Sequence, residues 1–202
     1  MIQDDHIRCA DFEESNCKCF SKYCLLMIRI LLFVPMFAML VFMLYKKPKD
    51  VAYFESYWTF TLTVISLFTS MMAHYSKWWH SLAVFTSEVS MCFNICVVPV
   101  FWIARYQAFV NFWQKNESYD VTERIYLFQL AFTHSMPMLT SVIELLITKM
   151  CFLKKDSKWV FLVGILYIPV NYYGSIDIGQ PVYNWNYLDW KNPKTTFACF
   201  VF

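Results

Sequence analysis

Glycine and charge are scarce in this chain. Of 202 residues only 3 are Gly and only 16% are Asp, Glu, Lys or Arg, whereas ordinary soluble domains are about a quarter charged. So few glycines cannot build a Gly-rich phosphate loop or a dinucleotide fingerprint. The sequence also has no G-x-S-x-G elbow, no G-x-x-x-x-G-K loop and no H-E-x-x-H pair. A formal net charge of +2 supplies no basic field, which excludes nucleic acid as a partner. What is abundant is apolar: 58% of residues, with 20% aromatic. That composition excludes disordered and collagen-like chains and argues against a soluble enzyme.

Residues 24–45, CLLMIRILLFVPMFAMLVFMLY, hold a single charge, Arg29. About 20 apolar residues cross about 30 Å of hydrocarbon, so this run predicts a spanning helix. The preceding segment, 1–23, is juxtamembrane. It carries Asp4, Asp5, Asp11, Glu13 and Glu14 where a signal peptide would be basic, which argues against cleavage. Further spans are predicted at 54–73, at 82–103 with Glu88 and Asn94, at 125–148 with His134 and Glu144, and over a short 159–173. The closing TTFACFVF, 195–202, reads as the opening of a sixth helix that does not finish. The expected fold is all-α, a polytopic transmembrane helix bundle of five spans plus an incomplete sixth, filling 24–202.

Alternation puts the N-terminus and the connections 76–81 and 149–158 on one side, A. The connections 46–50 and 104–124 and the C-terminal tail fall on side B. Lys and Arg divide equally between the sides, so the positive-inside rule leaves orientation open. The sequon Asn116-Glu117-Ser118 favours a lumenal side B. The expected location is an endomembrane or the plasma membrane. Aromatic residues such as Tyr53, Trp58, Trp78, Trp79, Trp102 and Trp159 crowd the span ends as an interfacial belt.

The 8 cysteines form no disulfide framework. Cys92 and Cys96 lie four apart on one helix face and read as small hydrophobes. His6, Cys9, Cys17, Cys19 and Cys24 match no zinc spacing, so neither metal nor cofactor is implied. Cys17, Cys19 and Cys24 flank the first span and are candidate palmitoylation sites.

Ionisable residues inside the spans carry the most information, because a charge in hydrocarbon is costly. Arg29, His74, Glu88 and Glu144 all fall in the side-A leaflet. Arg29, Glu88 and Glu144 read as a structural ion-pair cluster pinning helices, with a proton or ion path as the other reading. His134 stands apart, in the side-B half of the fourth span. The second span runs in the same direction and opens with Ser56, Thr59, Thr61 and Thr63. A neutral imidazole can take the proton of such a hydroxyl and make it a nucleophile. The same hydroxyls can equally bond their own backbone or a neighbouring helix.

Three stretches resemble the androgen-induced protein family, which includes the androgen-dependent TFPI-regulating and rolling-stone-like branches. Tyr53-Phe54-Glu55-Ser56-Tyr57-Trp58-Thr59-Phe60 is similar to that family's Tyr-Phe-Thr-x-Trp opening of the second helix. Thr133-His134-Ser135-Met136, followed by Glu144-Leu145-Leu146, resembles its His-Gly-x-Asn/His stretch in the fourth. Pro181-Val182-Tyr183, Leu188-Asp189-Trp190 and Pro193 resemble its Tyr-Pro-x-x-Asp-Trp-x-x-Pro segment. The resemblance runs in order over about 25–202. It implies a six-helix membrane protein and, from the androgen-induced branch, a hydrolase that cleaves fatty-acyl esters of hydroxy fatty acids with a Thr and a His; the rolling-stone-like branch, which resembles the tail equally, implies no such chemistry. His134 matches the family His. Alignment on Trp58 puts Ser56 at the Thr position, with Thr59 one turn on, and Ser135 replaces the family Gly. The expectation is a lipid-ester hydrolase in contact with membrane lipids, with Ser56 or Thr59 as nucleophile, His134 as base and no assignable third member. A non-enzymatic scaffold or membrane-complex subunit is the alternative, and a transporter the third.

Overall fold

The computed structural model describes residues 10–15, 20–114, 121–150, 156–179 and 190. In chain order the elements are β1 (Ala10–Ser15), α1 (Lys22–Lys46), α2 (Pro48–Tyr53), α3 (Glu55–Ala73), α4 (Trp78–Gln114), α5 (Val121–Ile147), β2 (Thr148–Met150) and α6 (Ser157–Ile178). The architecture is an all-α helical bundle. Its one addition is a small antiparallel ribbon, β1 with β2, which joins Ala10 to Met150 and Asp11 to Lys149. No strand was expected in the segment before the first span.

Local chemistry sets the boundaries. Ser21 caps α1 by accepting the Cys24 amide at 3.3 Å. Pro48 opens α2, since it lacks the N–H that would continue α1. Phe54, extended at φ −90 and ψ 129, separates α2 from α3. Gly179 ends α6 in the left-handed region at φ 74. α4 runs on to Gln114 and α6 to Ile178, past the expected ends at 103 and 173. The sequon, the tail motif other than Trp190, and the 195–202 stub lie outside the described residues.

Among the described residues, four helices are long and apolar enough to cross a membrane: Lys22–Lys46, Trp78–Ile103, Arg124–Ile147 and Ser157–Ile178. α3, the expected second span, is not among them, because hydroxyls recur along it from Ser56 to Ser70. Its position explains this. α3 packs against α1, α4 and α5, so much of its surface meets protein rather than lipid. The outer faces are apolar, as on α1 at Leu31, Val34 and Val41 and on α6 at Phe161 and Leu166.

Two antiparallel seams fix the helix directions. Between α3 and α4, Thr63 meets Ser90, Ser66 meets Ser87, and Thr69 meets Thr86, each at 2.8 Å. Between α1 and α5, the Thr133 hydroxyl points at the Met43 sulfur at 3.6 Å and the Thr140 hydroxyl at the Met36 sulfur at 3.3 Å. Met36, Leu40, Met43, Phe60, Val64 and Leu67 form the apolar core, and the Phe60 and Phe132 rings lie 6.4 Å apart. α3 and α5 therefore run parallel.

α6 is tied to the α2–α3 junction. The Tyr167 hydroxyl accepts the Glu55 amide at 3.0 Å and donates to the Tyr53 carbonyl at 2.7 Å. Asn171 donates to that hydroxyl at 3.2 Å and accepts from the Trp190 indole at 2.9 Å. Lys49 of α2 pairs with Asp177 at 2.8 Å. That hydrogen bond holds the Lys49 ammonium above its ordinary pKa.

Candidate functional site

The charged centre joins the side-A ends of three helices. Arg29 is 0% exposed. Its Nε donates to both Glu144 oxygens, at 3.0 and 3.2 Å, and its Nη2 donates to Thr148 Oγ1 at 2.9 Å. Thr148 in turn donates to Glu144 Oε2 at 3.3 Å. Nη1 lies 2.6 Å from His74 Nε2. A guanidinium can only donate, so that imidazole nitrogen accepts and His74 is neutral. The sequence had grouped Arg29, Glu88 and Glu144. The structure brings Arg29 and Glu144 together and places Glu88, 3% exposed, on α4 beside Ser87. Thr148 went unnoticed: it opens β2, four residues beyond Glu144 and just past the end of α5.

Towards mid-bundle the interior stays polar. Asn94 is 0% exposed, and its amide nitrogen points at Ser141 Oγ (2.7 Å), Thr63 Oγ1 (3.1 Å), the Pro137 carbonyl (3.2 Å) and Ser90 Oγ (3.3 Å). A carbonyl can only accept, so the NH2 group must face Pro137. Asn94 Oδ1 then has no hydrogen-bond partner among the described residues. Between this network and the charged centre is a cavity of about 10 Å³. Thr63, Ser66, Ser87, Thr140, Ser141 and Glu144 line it together with the apolar Leu67 and Met91. That is room for about one water molecule.

The hydroxyls expected near His134 are arranged differently. Thr59, 1% exposed, donates to the Glu55 carbonyl at 3.0 Å, and Thr61 donates to the Tyr57 carbonyl at 2.8 Å. In apolar surroundings a helical hydroxyl bonds to the nearest carbonyl one turn back. Ser56 is half-buried in the first turn of α3, and its hydroxyl has no hydrogen-bond partner among the described residues. His134 is 6% exposed, with its ring parallel to Phe101 of α4 at a centroid distance of 3.3 Å. No hydrogen bond joins Ser56 or Thr59 to His134. His134 meets α4 at Phe101, while the Phe60–Phe132 contact marks where α3 meets α5. Phe101 was not anticipated, because the helix register that sets it opposite His134 depends on packing.

Of the cysteines weighed for acylation, Cys24 is a free, half-buried thiol at the start of α1. Cys17 and Cys19 lie outside the described residues. Comparison with family models, curated proteins and solved structures finds no match for the chain.

Proposed function

We propose that this multi-pass membrane protein hydrolyses fatty-acyl esters that reach it laterally from the bilayer, as its resemblance to the androgen-induced family implies. The observation that carries this reading is the uncommitted, half-buried Ser56 hydroxyl in the first turn of α3, the helix that meets His134's helix through Phe60 and Phe132. Thr59 is the weaker nucleophile, because its hydrogen already goes to Glu55. Ser56 attacks the ester carbonyl while His134 takes its proton, then returns it to the departing alkoxide. Water cleaves the acyl–serine with His134 again as base. The helix N-terminus beside Ser56 favours the oxyanion that develops in both steps. Bound ester closes the distance between hydroxyl and imidazole, and no cofactor takes part.

The test uses the full chain in lipid vesicles with a fatty-acyl ester of a hydroxy fatty acid. Ser56→Ala and His134→Ala are each expected to lower turnover by at least about 100-fold without changing the melting temperature. Thr59→Val is expected to stay within a few-fold of wild type. Turnover that persists in His134→Ala defeats the mechanism. The scaffold reading has its own support, the commitment of Arg29, Asn94 and the α3–α4 hydroxyls to helix–helix bonds. A folded protein that a fluorophosphonate probe never labels would select it.

A further inference from the structure

We propose that Tyr167 of α6 is the positioning residue for Ser56, and that Asn171 and Trp190 hold Tyr167 in place. This role rests on the reading of Ser56 as nucleophile.

α6 buries very little. Of its 22 residues, only Tyr167, Asn171 and Gly174 are buried. Spacings of four and three put them on one helix face. That face meets the α2–α3 corner, where Tyr53 lies against Gly174. Two of the three are polar, on a helix long and apolar enough to cross a membrane. Packing alone needs neither a phenol nor an amide there, and polar side chains on such a helix are costly.

Their hydrogen bonds converge on the corner. Phe54 is the one residue between α2 and α3. It is also the N-cap of α3, and its side chain makes no capping bond. The Tyr167 hydroxyl fills that role from another helix. It accepts from the Glu55 amide at 3.0 Å and donates to the Tyr53 carbonyl at 2.7 Å. The backbone is thereby clamped on both sides of Phe54, whose dihedrals set the direction in which the first turn of α3 leaves. Ser56 follows Glu55 directly. The Tyr167 ring also lies 5.5 Å from that of Trp58, whose indole donates to the Ala52 carbonyl at 2.8 Å. Tyr53 and Glu55 before Ser56, and Trp58 after it, are thus held by one side chain.

Donor and acceptor chemistry fixes the direction of the chain behind Tyr167. An indole N–H only donates and a carbonyl only accepts. Trp190 therefore donates to Asn171 Oδ1 at 2.9 Å, Asn171 Nδ2 donates to the Tyr167 hydroxyl at 3.2 Å, and Tyr167 donates to Tyr53. Each bond polarises the next. Without the Trp190 N–H, Asn171 is free to turn its amide over, and its oxygen then competes with the Tyr53 carbonyl for the Tyr167 hydrogen. A displacement of about 1 Å at a reacting group costs about 100-fold in rate. A clamp on the first turn of α3 therefore reaches the chemistry without touching substrate.

The experiment compares Tyr167→Phe and Trp190→Phe with wild type, as the full chain in lipid vesicles. Each removes one hydrogen-bond donor and keeps an aromatic ring. With a fatty-acyl ester, Tyr167→Phe is expected to lower kcat by at least about 10-fold and to leave KM within about 2-fold. Trp190→Phe is expected to lower kcat by less, and gives a reading even if Tyr167→Phe does not fold. Tyr173→Phe takes an exposed hydroxyl from the same helix and is expected to change neither constant. A second readout needs no turnover. With the native cysteines replaced and Ser56→Cys introduced, adding Tyr167→Phe is expected to speed alkylation by N-ethylmaleimide several-fold, because the half-buried position opens. That increase in a chain without esterase activity would keep the positioning role and remove the hydrolase reading. A lower melting temperature with kcat and alkylation rate unchanged would make Tyr167 a brace for the fold alone and overturn the proposal. A loss carried by KM alone overturns it too.

Discussion

At the scale of single residues, burial separates the side chains that hold the bundle from those left for chemistry. Arg29 has four nitrogen–oxygen or nitrogen–nitrogen contacts within 3.2 Å and no exposed surface. Arg29→Met strands the Glu144 carboxylate and is expected to cost about 3–5 kcal/mol, whereas Arg29→Met with Glu144→Met restores most of it. Denaturant unfolding of both variants in micelles, read as a double-mutant cycle, checks this. Additive losses would mean that the two charges do not depend on each other. The leaflet shared by Arg29 and Glu144 was legible from helix parity alone. The ranking of Ser56 above Thr59 was not, because it rests on which hydroxyl finds a carbonyl one turn back, and both sit in the same periodic pattern.

At the scale of elements, hydropathy located the helices and misjudged their lengths. α6 appeared to end near Tyr173 because Ser175 and Asp177 follow. The helix continues because Lys49 pairs with Asp177 and Tyr53 lies against Gly174, two partners from an element distant in sequence. Gly179 was the legible stop signal. The contact at Gly174 is tight: a Cβ there would lie 2.7 Å from Tyr53 Cγ and 2.8 Å from its Cβ. Gly174→Ala is therefore expected to displace α2 from α6 and cost about 1–3 kcal/mol. A Cβ at Gly164 meets nothing within 4 Å, so Gly164→Ala is expected to be neutral or slightly stabilising. Thermal melting distinguishes the two, and equal effects would show that the Tyr53 contact does not hold the helices together.

At the scale of the molecule, the chain is built outside-in relative to a soluble protein, with apolar residues facing out and hydroxyls, an amide and charges within. That inversion explains why a composition 58% apolar pointed to a membrane, and why α3, expected as the second span, falls short of the four helices long and apolar enough to cross. α3 is rich in hydroxyls, and its three hydroxyl pairs with α4 run antiparallel from Thr63 to Thr69. Its end meets the start of α1 and the end of α5 through His74, Arg29 and Glu144. Its beginning meets α2 and α6 through Tyr53 and Tyr167. These links place the exposed Ser76 and Lys149 at one end of the bundle and the exposed Lys49 and Asp177 at the other. With the native cysteines removed, single cysteines at those four positions are expected to divide two and two when sealed vesicles meet a membrane-impermeant maleimide. If Ser76→Cys and Lys49→Cys label from the same side, α3 does not cross. The antiparallel hydroxyl seam between α3 and α4 would then have to be abandoned.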